Sequence, residues 1–226
     1  MFTPRRLVHV LTAPLLLAAL AGCTGAPPAA PPSPAAPPSP VASVPLASPS
    51  GTISAAEAGE KLTHYVPAGP EGSTQTNRVL DLDGTVDAMV GTAGTDVKAD
   101  VRSRLDRHGF VAAARHSWTA PDGRQSVVLL VRFTADPGAE AVADALAQGF
   151  RSLAPDTVFT DPVDLSTGVI INALDDQGRA RVRLVAPHGD VVVVTYYLSP
   201  ATPDKQTAVS LFDTELKFLP TPGLPW

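Results

Sequence analysis

The chain of 226 residues contains a single cysteine, Cys23. No disulfide can form within it, so any exported fold must be held together by its core. Lysine and asparagine are scarce, and acidic side chains outnumber basic ones, 22 to 17. Such a charge balance disfavours nucleic acid and anionic lipid surfaces, where clustered Lys and Arg are rewarded by counterion release. The N-terminal apolar run, Leu7 to Leu20, falls short of the about 18 to 20 residues a spanning helix needs. No Gly-x-Ser-x-Gly elbow occurs, so a Ser-His-Asp set could only be assembled by free choice among many serines, and no phosphate-cradling glycine loop follows a strand, which removes the common nucleotide folds. His64, His108, His116 and His188 do not pair at metal-ligand spacing, so neither metal nor cofactor is expected.

What is present begins with an address. Arg5 and Arg6 precede the apolar run, and Leu20-Ala21-Gly22-Cys23 closes it with small residues before the cysteine. Residues 1–22 therefore read as a signal peptide cleaved between Gly22 and Cys23. The tetrapeptide resembles the lipobox of bacterial lipoproteins, which implies a diacylglycerol on the Cys23 thiol and a chain held on the outer face of the cytoplasmic membrane. Two acyl chains suffice for stable anchoring at about 0.8 kcal/mol per buried methylene. Arg5-Arg6 also fits a twin-arginine export signal, although His9 stands where an apolar residue would help; the general secretory and twin-arginine routes both remain open. Removing Arg5 and Arg6 leaves 15 basic side chains against 22 acidic, a formal charge of −7.

Residues 23–50 are nearly all Pro, Ala and Ser, and from Gly25 to Ser50 they carry no charge. Such a stretch buries no core; it reads as a polyproline-like spacer of about 3.1 Å per residue, or as a flexible tail without selected reach. Residues 51–226 are long enough for one compact domain. The wealth of Ala, Pro, Arg, Asp and Gly points to a GC-rich genome such as that of an actinobacterium.

Within that domain, Ser54-Ala55-Ala56-Glu57 has capping-box spacing and Ala58, Leu62 and Tyr65 follow at helical intervals. Residues 66–95 are rich in Gly, Thr and Asp and predict a long irregular segment, broken by a short strand or turn at Val79–Leu82. Val97, Val101 and Leu105 mark a second helix stopped by Gly109. Phe110–Trp118 and Val127–Phe133 flank the turn Pro121-Asp122-Gly123 and predict a hairpin whose second arm is apolar on both faces. Asp136-Pro137 opens a helix as N-cap and first residue, with Val142, Leu146, Gly149 and Leu153 as its stripe. Three strands follow, Val169–Leu174, Arg179–Val185 and Val191–Leu198, with turns at Asp175–Gly178 and Pro187–Asp190. Thr202-Pro203 opens a last helix carrying Val209, Phe212 and Leu216. Short connections force antiparallel neighbours. The expected fold class is α+β, a layered α/β/α sandwich whose antiparallel sheet has at least five strands.

Gly109-Phe110-Val111, Trp118, Val131-Arg132-Phe133 and Pro137-Gly138-Ala139 together resemble a segment of actinobacterial envelope lipoproteins and exported sensor domains with a PsbP/Mog1-like α/β/α sandwich. The resemblance spans about residues 51 to 220. It implies a binding or accessory role in the envelope and supplies no catalytic motif.

Two constellations compete for function. Asp81-Leu82-Asp83-Gly84-Thr85-Val86 resembles the first motif of haloacid-dehalogenase-type phosphotransferases, which would make Asp81 the nucleophile, Asp83 the general acid/base and Mg²⁺ the cofactor of a hydrolase or phosphotransferase. Only Val79 and Leu80 precede it, however, and its acidic partner would have to be Asp175-Asp176 in a hairpin turn; helix capping explains it as well. The second constellation is Arg179, Arg181 and Arg183, alternating with Ala180, Val182 and Leu184, so that three guanidinium groups share one strand face. They read either as a solvated edge strand with acidic neighbours or as a binding site for an envelope protein, an anionic small molecule or a glycan. Trp118 reads as core at a strand end or as an exposed recognition residue. The leading expectation is a lipid-anchored envelope binding or accessory module without covalent chemistry.

Overall fold

The computed structural model describes residues 54–153 and 157–222. The signal segment, Cys23 and the Pro-rich stretch lie outside the described residues, as does the side chain of Leu153.

Helix α1 (Ala55–Thr63) starts where the capping box predicts: the Ser54 Oγ accepts from the Glu57 N–H at 3.2 Å. Its apolar stripe, Ala58 and Leu62, is fully buried, each large aliphatic contributing about 1.5–3 kcal/mol. The segment expected to be irregular instead holds strand β1 (Thr74–Leu80) and helix α2 (Leu82–Val90). β1 is exposed along nearly its whole length, so no apolar alternation announces it; backbone pairing with β2 makes it a strand. Helix α3 (Thr95–Arg107) buries Leu105 and leaves Val97 half exposed. Gly109 follows it at φ 78°.

Strands β2 (Phe110–Thr119) and β3 (Gln125–Phe133) form the predicted hairpin, turning at Gly123 with φ 85°. Helix α4 (Asp136–Leu153) begins at Asp136. Its buried stripe is Ala139, Val142, Ala143, Ala147 and Phe150, while Gly149 is exposed. The helix is thus rotated from the expected stripe because small alanines face the sheet. It is followed by β4 (Val158–Thr160), a three-residue strand with no signal in the sequence, and β5 (Thr167–Ile171). The strand expected at Val169–Leu174 starts earlier and leaves Leu174 exposed. β6 (Arg179–His188) and β7 (Val191–Pro200) meet at a tighter turn than expected, with Pro187 and His188 paired to Val192 and Val191. Helix α5 (Lys205–Phe218) starts after Thr202-Pro203: Asp204 is its N-cap, accepting from the Thr207 N–H at 3.0 Å.

Seven antiparallel strands make one sheet in the order β1-β2-β3-β7-β6-β5-β4. α4 carries the chain from the sheet centre to its far edge. On one face α1 and α5 cover Ala114, Val128, Leu130, Val182, Leu184 and Val193. On the other, α2, α3 and α4 cover Ala113, Leu129, Val131, Val185, Val192 and Val194. The sandwich is therefore α/β/α, and the central strands β3 and β7 are buried on both sides, as continuous Val and Leu runs require.

Candidate functional site on the arginine-bearing sheet face

Register decides which side chains share a surface. Arg179, Arg181 and Arg183 alternate with buried Ala180, Val182 and Leu184, as the sequence pattern requires. The arginines lie on the face that carries α2 to α4. β6 is not an edge strand: β5 and β7 flank it, and the solvated-edge reading is corrected on that ground. Arg183 stands opposite Tyr196, which stands opposite Val127; Arg181 stands opposite Leu198, which stands opposite Gln125. Three strands along the sheet from β6, Arg115 of β2 lies opposite Leu129 on this face, and Arg78 of β1 lies opposite Arg115. The helices bury the rows through Leu129 and Val194, whereas the rows through Gln125, Tyr196, Leu198, Arg181 and Arg183 stay partly open.

The three arginines of β6 have different fates. Arg179 is structural: its Nε and Nη2 donate to Asp175 Oδ2 at 3.0 and 2.8 Å, and its Nη1 donates to Gln125 Oε1 at 3.0 Å. That fork, with the Arg179 backbone N–H, holds the Asp175 carboxyl down at about 2. No carboxylate among the described residues pairs with Arg181 or Arg183, and the buried Nε of each lacks a hydrogen-bond partner there. The Arg183 guanidinium lies 5.1 Å from the centre of the Tyr196 ring. Burial lowers the Arg183 pKa, and the Arg181 charge adds to that. Burial pushes the Tyr196 hydroxyl up, against the opposing pull of Arg183, Arg115 and Arg181. Arg183 thus lies on the phenol ring, Arg115 and Arg181 line the same cavity as Tyr196, and the Tyr196 hydroxyl donates to the Met89 carbonyl at 3.4 Å.

Beside that ring is a cavity of about 250 Å³, walled by Ala88, Arg115, Gln125, Arg181, Tyr196 and Leu198 together with the Asp175–Arg179 pair. Sequence reasoning found Arg181 and Arg183 but missed Arg115 and Tyr196, which only the strand register brings alongside. A larger cavity of about 520 Å³ lies between Pro67, Trp118, Tyr197 and Leu211. Its guanidinium, Arg124, is already paired with Asp122 at 3.2 Å. Trp118 is core, 6% exposed, with its ring edge-on to His116 at 5.3 Å. Burial lowers the His116 pKa. The His188 Nε2 is 2.9 Å from the Pro220 carbonyl.

The acidic loop does not assemble a phosphotransferase centre. Asp81 is the N-cap of α2, its Oδ1 accepting from the Gly84 N–H at 2.7 Å, and Asp83 pairs with Arg102 on the surface. The strand before them is an exposed antiparallel edge strand, where that chemistry requires a buried parallel one. Asp175 is occupied by Arg179. Among the described residues no group of three or more His, Cys, Asp or Glu side chains is placed to hold a metal.

The family model described as "Domain of unknown function (DUF7373) N-terminal" matches residues 54–217. The chain belongs to the DUF7373 family. Its match covers every described helix and strand except the last residue of α5. No curated protein matches the sequence. Among solved structures, the extracellular domain of PknH from Mycobacterium tuberculosis is similar at a TM-score of 0.52 and 13% identity, covering 70% of this chain and 94% of that one. At that identity the likeness is one of fold: this DUF7373 domain and the PknH domain share an architecture.

Proposed function

We propose that this protein is a lipid-anchored extracytoplasmic module of an actinobacterial envelope, which holds an anionic ligand on its arginine-bearing sheet face and performs no covalent chemistry. One observation carries the reading. Among the described residues, the exposed Arg78, Arg107, Arg151, Lys205 and Lys217 and the half-buried Arg115, Arg181 and Arg183 have no carboxylate within 4 Å, so the half-buried cations left unpaired all lie on this face, whereas the half-buried Arg132 and Arg179 are paired. Acids are in excess in this chain, so leaving clustered guanidinium groups unpaired costs stability that a bound anion would return. A lipobox-like segment ending at Cys23 and a fold like that of an extracellular domain support the location.

The ligand test is cross-linking in living cells from a photoreactive side chain at Gln125. We expect adducts that vanish in the Arg181→Gln/Arg183→Gln variant while its thermal unfolding stays close to that of the parent; adducts unchanged in the variant would refute the reading. The anchor is tested separately: Cys23→Ser should release the processed chain from membranes or block its processing. A Cys23→Ser protein still membrane-bound after cleavage would overturn the lipid assignment.

A further inference from the structure

We infer that the ligand of the Arg115–Arg181 cavity is a small, doubly charged oxyanion carried on a compact apolar body; this rests on the anion-holding role proposed above. The polar groups around the cavity fix the sign and type of its complement. Arg115 and Arg181 offer only donors. The Gln125 carbonyl oxygen is taken by Arg179, which turns the amide NH₂ into the free end of that side chain. Both Arg179 contacts to carboxylate go to Asp175 Oδ2, and Asp175 Oδ1 accepts the N–H groups of Gln177 and Arg179. The Tyr196 hydroxyl is turned to Met89. The site is thus donor-rich, with its carboxylate and amide oxygens engaged and the Tyr196 proton spent on Met89, so a ligand must bring acceptor oxygens.

Charge sets the valence. Asp175 neutralises Arg179, leaving Arg115 and Arg181 as two uncompensated charges on the cavity wall, with Arg183 behind the Tyr196 ring. A dianion balances the two wall charges; a monoanion leaves like charges facing each other. Size sets the rest. At about 250 Å³ the cavity is slightly below the roughly 300–1,000 Å³ of ordinary small-molecule sites, which fits a body about as large as one ring. Ala88, Leu198 and the Tyr196 face give that body an apolar bed. Phosphate monoesters and paired carboxylates share this chemistry.

The test is calorimetric titration of the full-length protein in neutral detergent with phenyl phosphate, benzene-1,3-dicarboxylate, benzoate and benzamide. One or both dianions should bind, benzoate should bind at least about tenfold more weakly, and benzamide should not bind. Which dianion binds more tightly separates a phosphate source from a dicarboxylate source. Arg115→Gln and Arg181→Gln should each weaken binding by about ten- to a hundredfold, the loss expected for one charged hydrogen-bonding partner, with Arg151→Gln unchanged. Added salt should weaken binding in the parent. The inference is overturned if neither dianion binds, if benzoate or benzamide matches them, or if Arg115→Gln leaves affinity unchanged. If the dianions fail while Arg181- and Arg183-dependent cross-links persist in cells, the small-ligand inference falls and the anion-holding face stands; loss of both removes both.

Discussion

Glu215 sits in α5 with no exposed surface, and neither of its carboxylate oxygens has a hydrogen-bond partner among the described residues. Burial pushes its pKa from 4.5 up to about 8. The folded protein keeps this carboxyl protonated where the unfolded chain would ionise it, so stability must fall as pH rises from about 4.5 through about 8 and then level off. Glu215→Gln removes that slope and should be the more stable protein at about pH 8, by on the order of a few kcal/mol. Urea unfolding at about pH 5 and about pH 8 checks this; a parallel loss in both proteins refutes it. Asp175 acts at the other end of the scale. Its carboxyl, held at about 2 by Arg179, stabilises the fold above its ordinary 3.8, and that contribution disappears as pH falls through about 2. These two groups alone place their combined optimum near pH 4 to 4.5. Gly109 is constrained in a different way. Its φ of 78° and a Cβ position that would meet the Thr134 Oγ1 leave no room for a side chain, so Gly109→Ala should cost at least about 1 kcal/mol, read as a lowered melting temperature.

At the scale of elements, α2 rests on the Asp81 cap, and Asp81→Ala should cost about 1 kcal/mol with no change in Mg²⁺ affinity. Magnesium binding that disappears in the variant would restore the phosphotransferase reading. α5 depends on Phe212, fully buried between helix and sheet; Phe212→Ala should cost about 3–5 kcal/mol in chemical denaturation. The elements that the sequence announced are those whose pattern coincides with burial: the Ser54 cap, the Pro121-Asp122-Gly123 hairpin and the valine run of β7. β1 and β4 escaped because edge strands take their order from backbone pairing, and Thr74-Gln75-Thr76-Asn77-Arg78 offers no apolar face. α2 escaped because Asp-Gly-Thr is turn-like chemistry, although Val86 and Met89 bury its far side. For the site, alternation along β6 put Arg181 and Arg183 together, but no reading of one strand places Arg115, some seventy residues earlier, on the same surface. The Asp175 fork also required geometry, since Arg179 lies four positions on, across a turn.

For the whole molecule, the two halves of the sheet are joined along one seam, β3 against β7. Arg132 and Asp190, 58 residues apart in sequence, are paired at 2.9 Å at its end. Where the chain folds as it is made, the seam sets a timetable. Once Phe133 has been made, β3 has its hairpin partner on one side only, and its other edge waits for Val191 and the residues after it. At about 5–20 residues per second, the missing 58 residues take roughly 3 to 12 seconds, far longer than the about 1–10 μs in which a hairpin forms. During that interval a strand apolar on both faces presents an open backbone edge, the template along which chains aggregate. The vulnerable species on the way to this fold is therefore the half-sheet β1-β2-β3, and the step that ends its exposure is the arrival of β7.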